Sequence, residues 1–104
     1  MPIGNPYMTA QEVAVSNTAF PALSTPSLTN DRPGSVSVAH LGTAGDPVVY
    51  VSFDGTTTAM ILRAGLPTAA QSTEGKSYRY VWLRVASGTV NVYVNFEDAE
   101  ASGV

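Results

Sequence analysis

From residue 34 onward, apolar and polar positions alternate in short runs broken by turn residues. Ser35-Val36-Ser37-Val38-Ala39-His40-Leu41 has period two, and Thr89-Val90-Asn91-Val92-Tyr93-Val94-Asn95-Phe96 is the cleanest alternation in the chain. Period two sends successive side chains to opposite faces of a β-strand. Val90, Val92, Val94 and Phe96 are therefore predicted to face a core, with Asn91, Tyr93 and Asn95 on the other side. The run Tyr78–Val85 divides in the same way, Val81, Leu83 and Val85 against Tyr78, Tyr80, Trp82 and Arg84. Pro47 to Phe53 is β-branched and aromatic, and Ala59 to Arg63 is short and apolar. Asp54-Gly55 between them predicts a tight turn, hence a β-hairpin. Glu12 to Ser16 predicts one more short strand. Turn signals at Gly42 to Asp46, Gly65 to Gly75 and Ser87-Gly88 separate these runs. Short strands at this spacing predict an all-β fold, a single antiparallel β-sandwich or jelly-roll-like domain over residues 12–96.

Three segments fall outside the alternation. Residues 1–11 carry Pro2, Pro6 and Gly4 among the isolated apolar side chains Ile3, Tyr7 and Met8. Proline disfavours both a helix and a central strand, so an extended N-terminal arm is expected there. Residues 17–34 hold Pro21, Pro26, Pro33 and Gly34 with many Ser and Thr, and read as one long loop. Loops of that length are uncommon in a small domain and often bind something. Phe20, Leu23 and Leu28 are too apolar for a free linker and are expected to lie on the domain or on a neighbour. Residues 97–104 read as an acidic, flexible tail. The crossover Thr68 to Gly75 has room for one helical turn. Val49-Tyr50-Val51-Ser52-Phe53-Asp54 echoes Val92-Tyr93-Val94-Asn95-Phe96-Glu97, as two strands in similar environments would.

Charge narrows the functional classes. Only 12% of the residues are charged, which leaves a surface that loses little hydration when a neighbour covers it. The net charge is −3, and Arg32, Arg63, Lys76, Arg79 and Arg84 are scattered. Nucleic-acid binding thus lacks its electrostatic footprint. The absence of cysteine removes disulfides and thiolate metal sites. No basic segment followed by an apolar core opens the chain, and no apolar run approaches a membrane span, so neither a signal peptide nor a membrane partner is expected.

Catalytic chemistry finds little to build on. His40 is the single histidine, and no nucleophile-elbow motif surrounds any serine, so a surface or edge position is expected for it. The acids Glu12, Asp31, Asp46, Asp54, Glu74, Glu97, Asp98 and Glu100 form no evident pair for glycoside hydrolysis, and no spacing among them matches a calcium loop. Asp46 and Asp54 sit where turns want aspartate for backbone reasons. The glycines are dispersed as turn formers rather than gathered in a phosphate loop. The reading is non-enzymatic, with no cofactor and no metal. Two tyrosines and a tryptophan on one face of Tyr78–Val85 suit either a second core layer or a contact patch.

Tyr50-Val51-Ser52-Phe53-Asp54-Gly55, Leu62-Arg63-Ala64-Gly65, Val81-Trp82-Leu83-Arg84 and Ser87-Gly88-Thr89-Val90-Asn91-Val92-Tyr93-Val94 together resemble the small β-sandwich virion proteins of tailed bacteriophages. The resemblance covers about residues 34–96 and rests on strand and turn patterns. It implies a structural protein of the virion that decorates or cements the capsid surface by bridging neighbouring subunits, after assembly in the host cytoplasm. The partners it implies are the major capsid protein or other virion subunits, with the chain itself a homo-oligomer. Ile3, Tyr7, Met8, Phe20, Leu23 and Leu28 are the expected contacts, with Tyr80 and Trp82 as a second patch. Two other readings are open. A carbohydrate-binding β-sandwich would stack sugars on Tyr78, Tyr80 and Trp82 beside Asn91 and Asn95; a head–tail adaptor or tail component would form rings.

Overall fold

The computed structural model describes residues 8–65, 70–73 and 76–98. Among these there is no helix, and all strand pairs are antiparallel. The strands are β1 (Met8–Val15), β2 (Leu28–His40), β3 (Val49–Ser52), β4 (Met60–Leu62), β5 (Ala70–Ser72), β6 (Tyr78–Val85) and β7 (Val90–Asp98). Hydrogen bonds join them in the order β1-β7-β2-β6-β3-β4, with β5 attached to β2. The all-β, antiparallel class expected from the alternation is the class observed.

Two long strands change partners along their length. β2 meets β6 at its start, Leu28 opposite Val81 and Thr29 opposite Tyr80, and once more past an irregular stretch, Gly34 opposite Tyr78. From Gly34 to His40 it runs beside β7, and Ser37 to Ala39 also pair with β5. The register shifts between Thr29 and Gly34, and Pro33 sits in that irregular stretch. Proline is tolerated there because a bulge asks for no ladder hydrogen bond. This explains why the expected 17–34 loop ends early. Pro33-Gly34 bends a strand instead of closing a loop, and the connection before β2 ends at Ser27. Similarly, β6 pairs with β2 through its first half and with β3 from Trp82 to Val85.

The period-two prediction places the core. Val90, Val92, Val94 and Phe96 of β7 and Val81, Leu83 and Val85 of β6 are all buried. They share one cluster with Val15, Leu28, Val36, Val38, Val49, Val51, Met60 and Leu62. Burying each such side chain contributes about 1.5–3 kcal/mol relative to leaving it in water.

Several boundaries differ from expectation. β1 begins at Met8, so residues 8–11 of the expected arm are strand, paired with Val94 to Glu97. β7 runs on to Asp98, so the expected tail begins two residues inside a strand that is held by β1 and β2. Asp54-Gly55 does join β3 to β4 as a hairpin, but through residues 53–59 and not through a two-residue turn. The echo between β3 and β7 holds for Val49-Tyr50-Val51 and Val92-Tyr93-Val94, with valines in and tyrosines out. It fails at the phenylalanines. Phe96 is fully buried, whereas Phe53 lies beyond its strand and stacks on Tyr78 with ring centres 4.3 Å apart.

Candidate functional site

The connection 16–27 builds the most elaborated surface of the protein. Once β2 leaves β6 at Val81, the far edge of β6 would present bare backbone groups from Leu83 and Val85. The connection fills that edge without being a strand. Val85 N–H donates to the Asn17 carbonyl at 2.9 Å, and Leu83 N–H donates to the Ser27 hydroxyl at 2.9 Å. The Asn17 side-chain amide donates to the Leu83 carbonyl at 2.6 Å and to the Ala19 carbonyl at 2.8 Å. Unpaired strand edges invite other chains to pair, and this one is closed from within.

The same segment covers the outer face of β6. The Trp82 indole N–H donates to the Ala22 carbonyl at 3.1 Å, and Trp82 is only 6% exposed. The Arg84 guanidinium carbon lies 3.9 Å from the ring centre of Tyr50 and 5.1 Å from that of Phe20. A delocalised cation is attracted to the negative faces of both rings. Leu23 packs beside Gly55, whose φ of 86° is a conformation that favours glycine, and a Cβ there would collide with Leu23 Cδ2.

This geometry sorts the expected contact residues. Leu28 belongs to the core and Trp82 lies beneath the connection; the chain itself consumes their apolar surface, so neither can offer it to a partner. Phe20 is half-buried against Arg84. Leu23 and Tyr80 remain exposed, at 61% and 41%. Tyr80 stands 6.2 Å from Trp82, ring centre to ring centre, with Arg79 5.6 Å over its ring. Ile3 and Tyr7 lie outside the described residues; Met8 is placed as the first residue of β1, and its side chain lies outside them. The three rings of the sugar-stacking reading do not form one open platform. Trp82 is buried, Tyr78 is stacked on Phe53, and Tyr80 alone of the three is exposed.

Three other side chains carry more structure than the sequence suggested. His40 is buried rather than on the surface. Its Nδ1 accepts from Gly42 N–H at 3.0 Å, and its Nε2 lies 2.8 Å from the Pro47 carbonyl. A carbonyl can only accept, so the ring is the Nε2–H tautomer and pins both ends of the 41–47 turn. Asp54 organises the β3–β4 connection. Its carboxylate accepts from the backbone N–H of Thr57 at 2.7 Å, that of Thr56 at 2.8 Å and the Ser52 hydroxyl at 2.9 Å. These bonds, the Thr57 N–H first, hold the carboxyl well below the usual carboxylate range. Arg84 is the third. Its role needs the pairing of Tyr50 with Arg84, a relation visible only once β3 and β6 are in register.

Among the described residues no three His, Cys, Asp or Glu side chains come together as a metal site would require. Among the same residues no helix is long and apolar enough to cross a membrane. Large apolar side chains are exposed at Leu23, Leu41, Ile61, Tyr80 and Tyr93. Compared with family models and with curated proteins, the chain matches none.

Proposed function

We propose that this chain is a non-enzymatic structural protein of a tailed-phage virion, decorating or cementing the capsid by bridging neighbouring subunits. The observation that carries the reading is the exposure of Leu23 and Tyr80 in a chain of which only 12% is charged, beside a connection that already closes the far edge of β6. Such a surface loses little hydration on being covered, and tyrosine combines an apolar ring with a hydrogen-bonding tip. The strand and turn segments that resemble phage virion proteins fall on β3, β4, β6 and β7 and on the turns between them. Modest contacts repeated over a shell add up by avidity.

The test is co-sedimentation of the purified chain with empty phage shells, with negative-stain images of the pellet. Decoration at regular shell positions is the expected result, reduced by Leu23→Ser and Tyr80→Ser and by deletion of residues 1–7. Shells that stay bare at saturating protein overturn the proposal, and rings seen at a portal or tail instead would transfer the role to a head–tail component.

A further inference from the structure

The chain protects its sheet edges unevenly. The far edge of β6 is closed by Asn17 and Ser27. At β4 the Ile61 carbonyl accepts from the Gln71 amide at 2.8 Å. β5 is only three residues long. β1 is eight residues long, with no proline and no lysine, and Glu12 is its single charge. Among the described residues it pairs with β7 alone. Short strands, charges, prolines and covering segments are the usual protections of an edge, and among the described residues β1 has almost none of them.

The hydrogen-bond pattern tells which groups of β1 are free. Leu41 N–H donates to the Asn91 carbonyl, so the main chain of Asn91 faces β2. Its neighbours Val90 and Val92 therefore face β1, where they oppose Val15 and Val13. Alternation then turns the backbone N–H and C=O of Met8, Ala10, Glu12 and Ala14 away from the sheet.

We infer that the free edge of β1 pairs antiparallel with β1 of a second copy, about a two-fold axis through Gln11. This register sets Met8 opposite Ala14 and Ala10 opposite Glu12, so every outward backbone group finds a partner. Moving the axis to Glu12 would set two carboxylates face to face, and moving it the other way, to Ala10, would set Ala14 opposite Pro6, which has no N–H to donate. Centring on Gln11 avoids both. An isologous contact uses each pair twice, which is why a self-complementary strand suffices. A pair of eight-residue strands is a small contact beside the ~1,200–2,000 Å² of a stable interface, so the dimer forms only with rising concentration. The inference is independent of the virion reading and can fail while that one stands.

Two variants test it. Proline at position 12 removes an outward N–H and leaves the β1–β7 bonds intact, since those use the odd-numbered residues. Sedimentation from about 1 µM to about 1 mM should take the wild type from 10.8 kDa toward twice that mass, while Glu12→Pro stays monomeric with unchanged circular dichroism. Gln11→Cys places a sole cysteine on the axis, in a pair that is not hydrogen-bonded, at the Cα spacing a disulfide needs. Mild oxidation should convert it to covalent dimer at least tenfold faster than the exposed control Thr18→Cys. A wild type that stays monomeric throughout, or cysteines that cross-link at equal rates, overturns the inference. If Glu12→Pro fails to fold, the cysteine pair decides alone.

Discussion

Arg84 of β6 stacks its guanidinium on the ring of Tyr50, the residue directly opposite it on β3, at 3.9 Å. The same cation lies 5.1 Å from the ring of Phe20 on the connection that precedes β2. One side chain thus ties a strand pair to the segment that covers it. Arg84→Ala should cost about 1–2 kcal/mol, the range for a partly desolvated cation on an aromatic face. Lysine, a compact and strongly hydrated charge, should recover only part of that. Urea denaturation of the three proteins checks the order, and equal midpoints would remove the stack from the account.

The edge cover at β6 makes a local prediction. Asn17→Ala leaves the Leu83 carbonyl without its amide donor, and Ser27→Ala leaves the Leu83 N–H without its acceptor. Each should cost about 0.5–1.5 kcal/mol, the net contribution of a hydrogen bond at a part-buried site. Native-state hydrogen exchange should accelerate at Leu83 in Ser27→Ala and at Val85 in Asn17→Ala, with β7 amides changing less. Uniform acceleration over all strands would mean that the connection is not a separable cover.

Gly55 is constrained twice, by its positive φ and by Leu23 Cδ2. Gly55→Ala should destabilise by about 1–3 kcal/mol through backbone strain alone, with the collision added. Gly55→Ala combined with Leu23→Ala removes the collision with Leu23 and keeps the strain and the close contact with the Trp82 indole. The double variant should therefore be more stable than the two separate losses predict. A strictly additive cycle would show that Leu23 yields without cost.

Asp54 links stability to acid. Its folded-state pKa lies below that of the unfolded chain because Thr57, Thr56 and Ser52 donate to the carboxylate. A depressed acid contributes stability above the unfolded value, about 3.9, and loses it as the pH falls from there toward the folded value. Asp54→Asn should lower the melting temperature at neutral pH, and the gap to wild type should close as the pH drops from about 5 to about 2. A gap that stays constant over that interval would mean the charge contributes nothing.

The core was legible from alternation because period two is a direct geometric readout of which side chains share a face. Val36, Val38, Val90, Val92, Val94 and Phe96 are inside for that reason. The surface beside β6 was not legible. Trp82 alternates onto the outer face, and only a segment some sixty residues earlier in the chain makes that face interior, through the Ala22 carbonyl. Prolines and serines over 17–34 read as loop, yet Leu28 to Gly34 is strand, because the Pro33 bend falls where β2 changes partners and no ladder bond is lost. His40 followed the polar side of its residue type, while its position at the end of β2 gave both ring nitrogens partners and so allowed burial. Periodicity reports faces; it does not report which edges need covering or what the chain sends to cover them.

β7 sits between β1 and β2 and supplies a fully apolar inner face, yet it follows every other described strand along the chain. On the ribosome, β1 emerges many seconds of synthesis before the strand that neutralises it on one side. Until Val90 to Asp98 appears, both edges of β1 are open at once, and β2 lacks its longest ladder. A chain cut short before β7 would keep most of its valines and lose the element that organises them. The assembly hazard of this protein is therefore concentrated in time, in the interval before the strand that joins β1 to β2 exists.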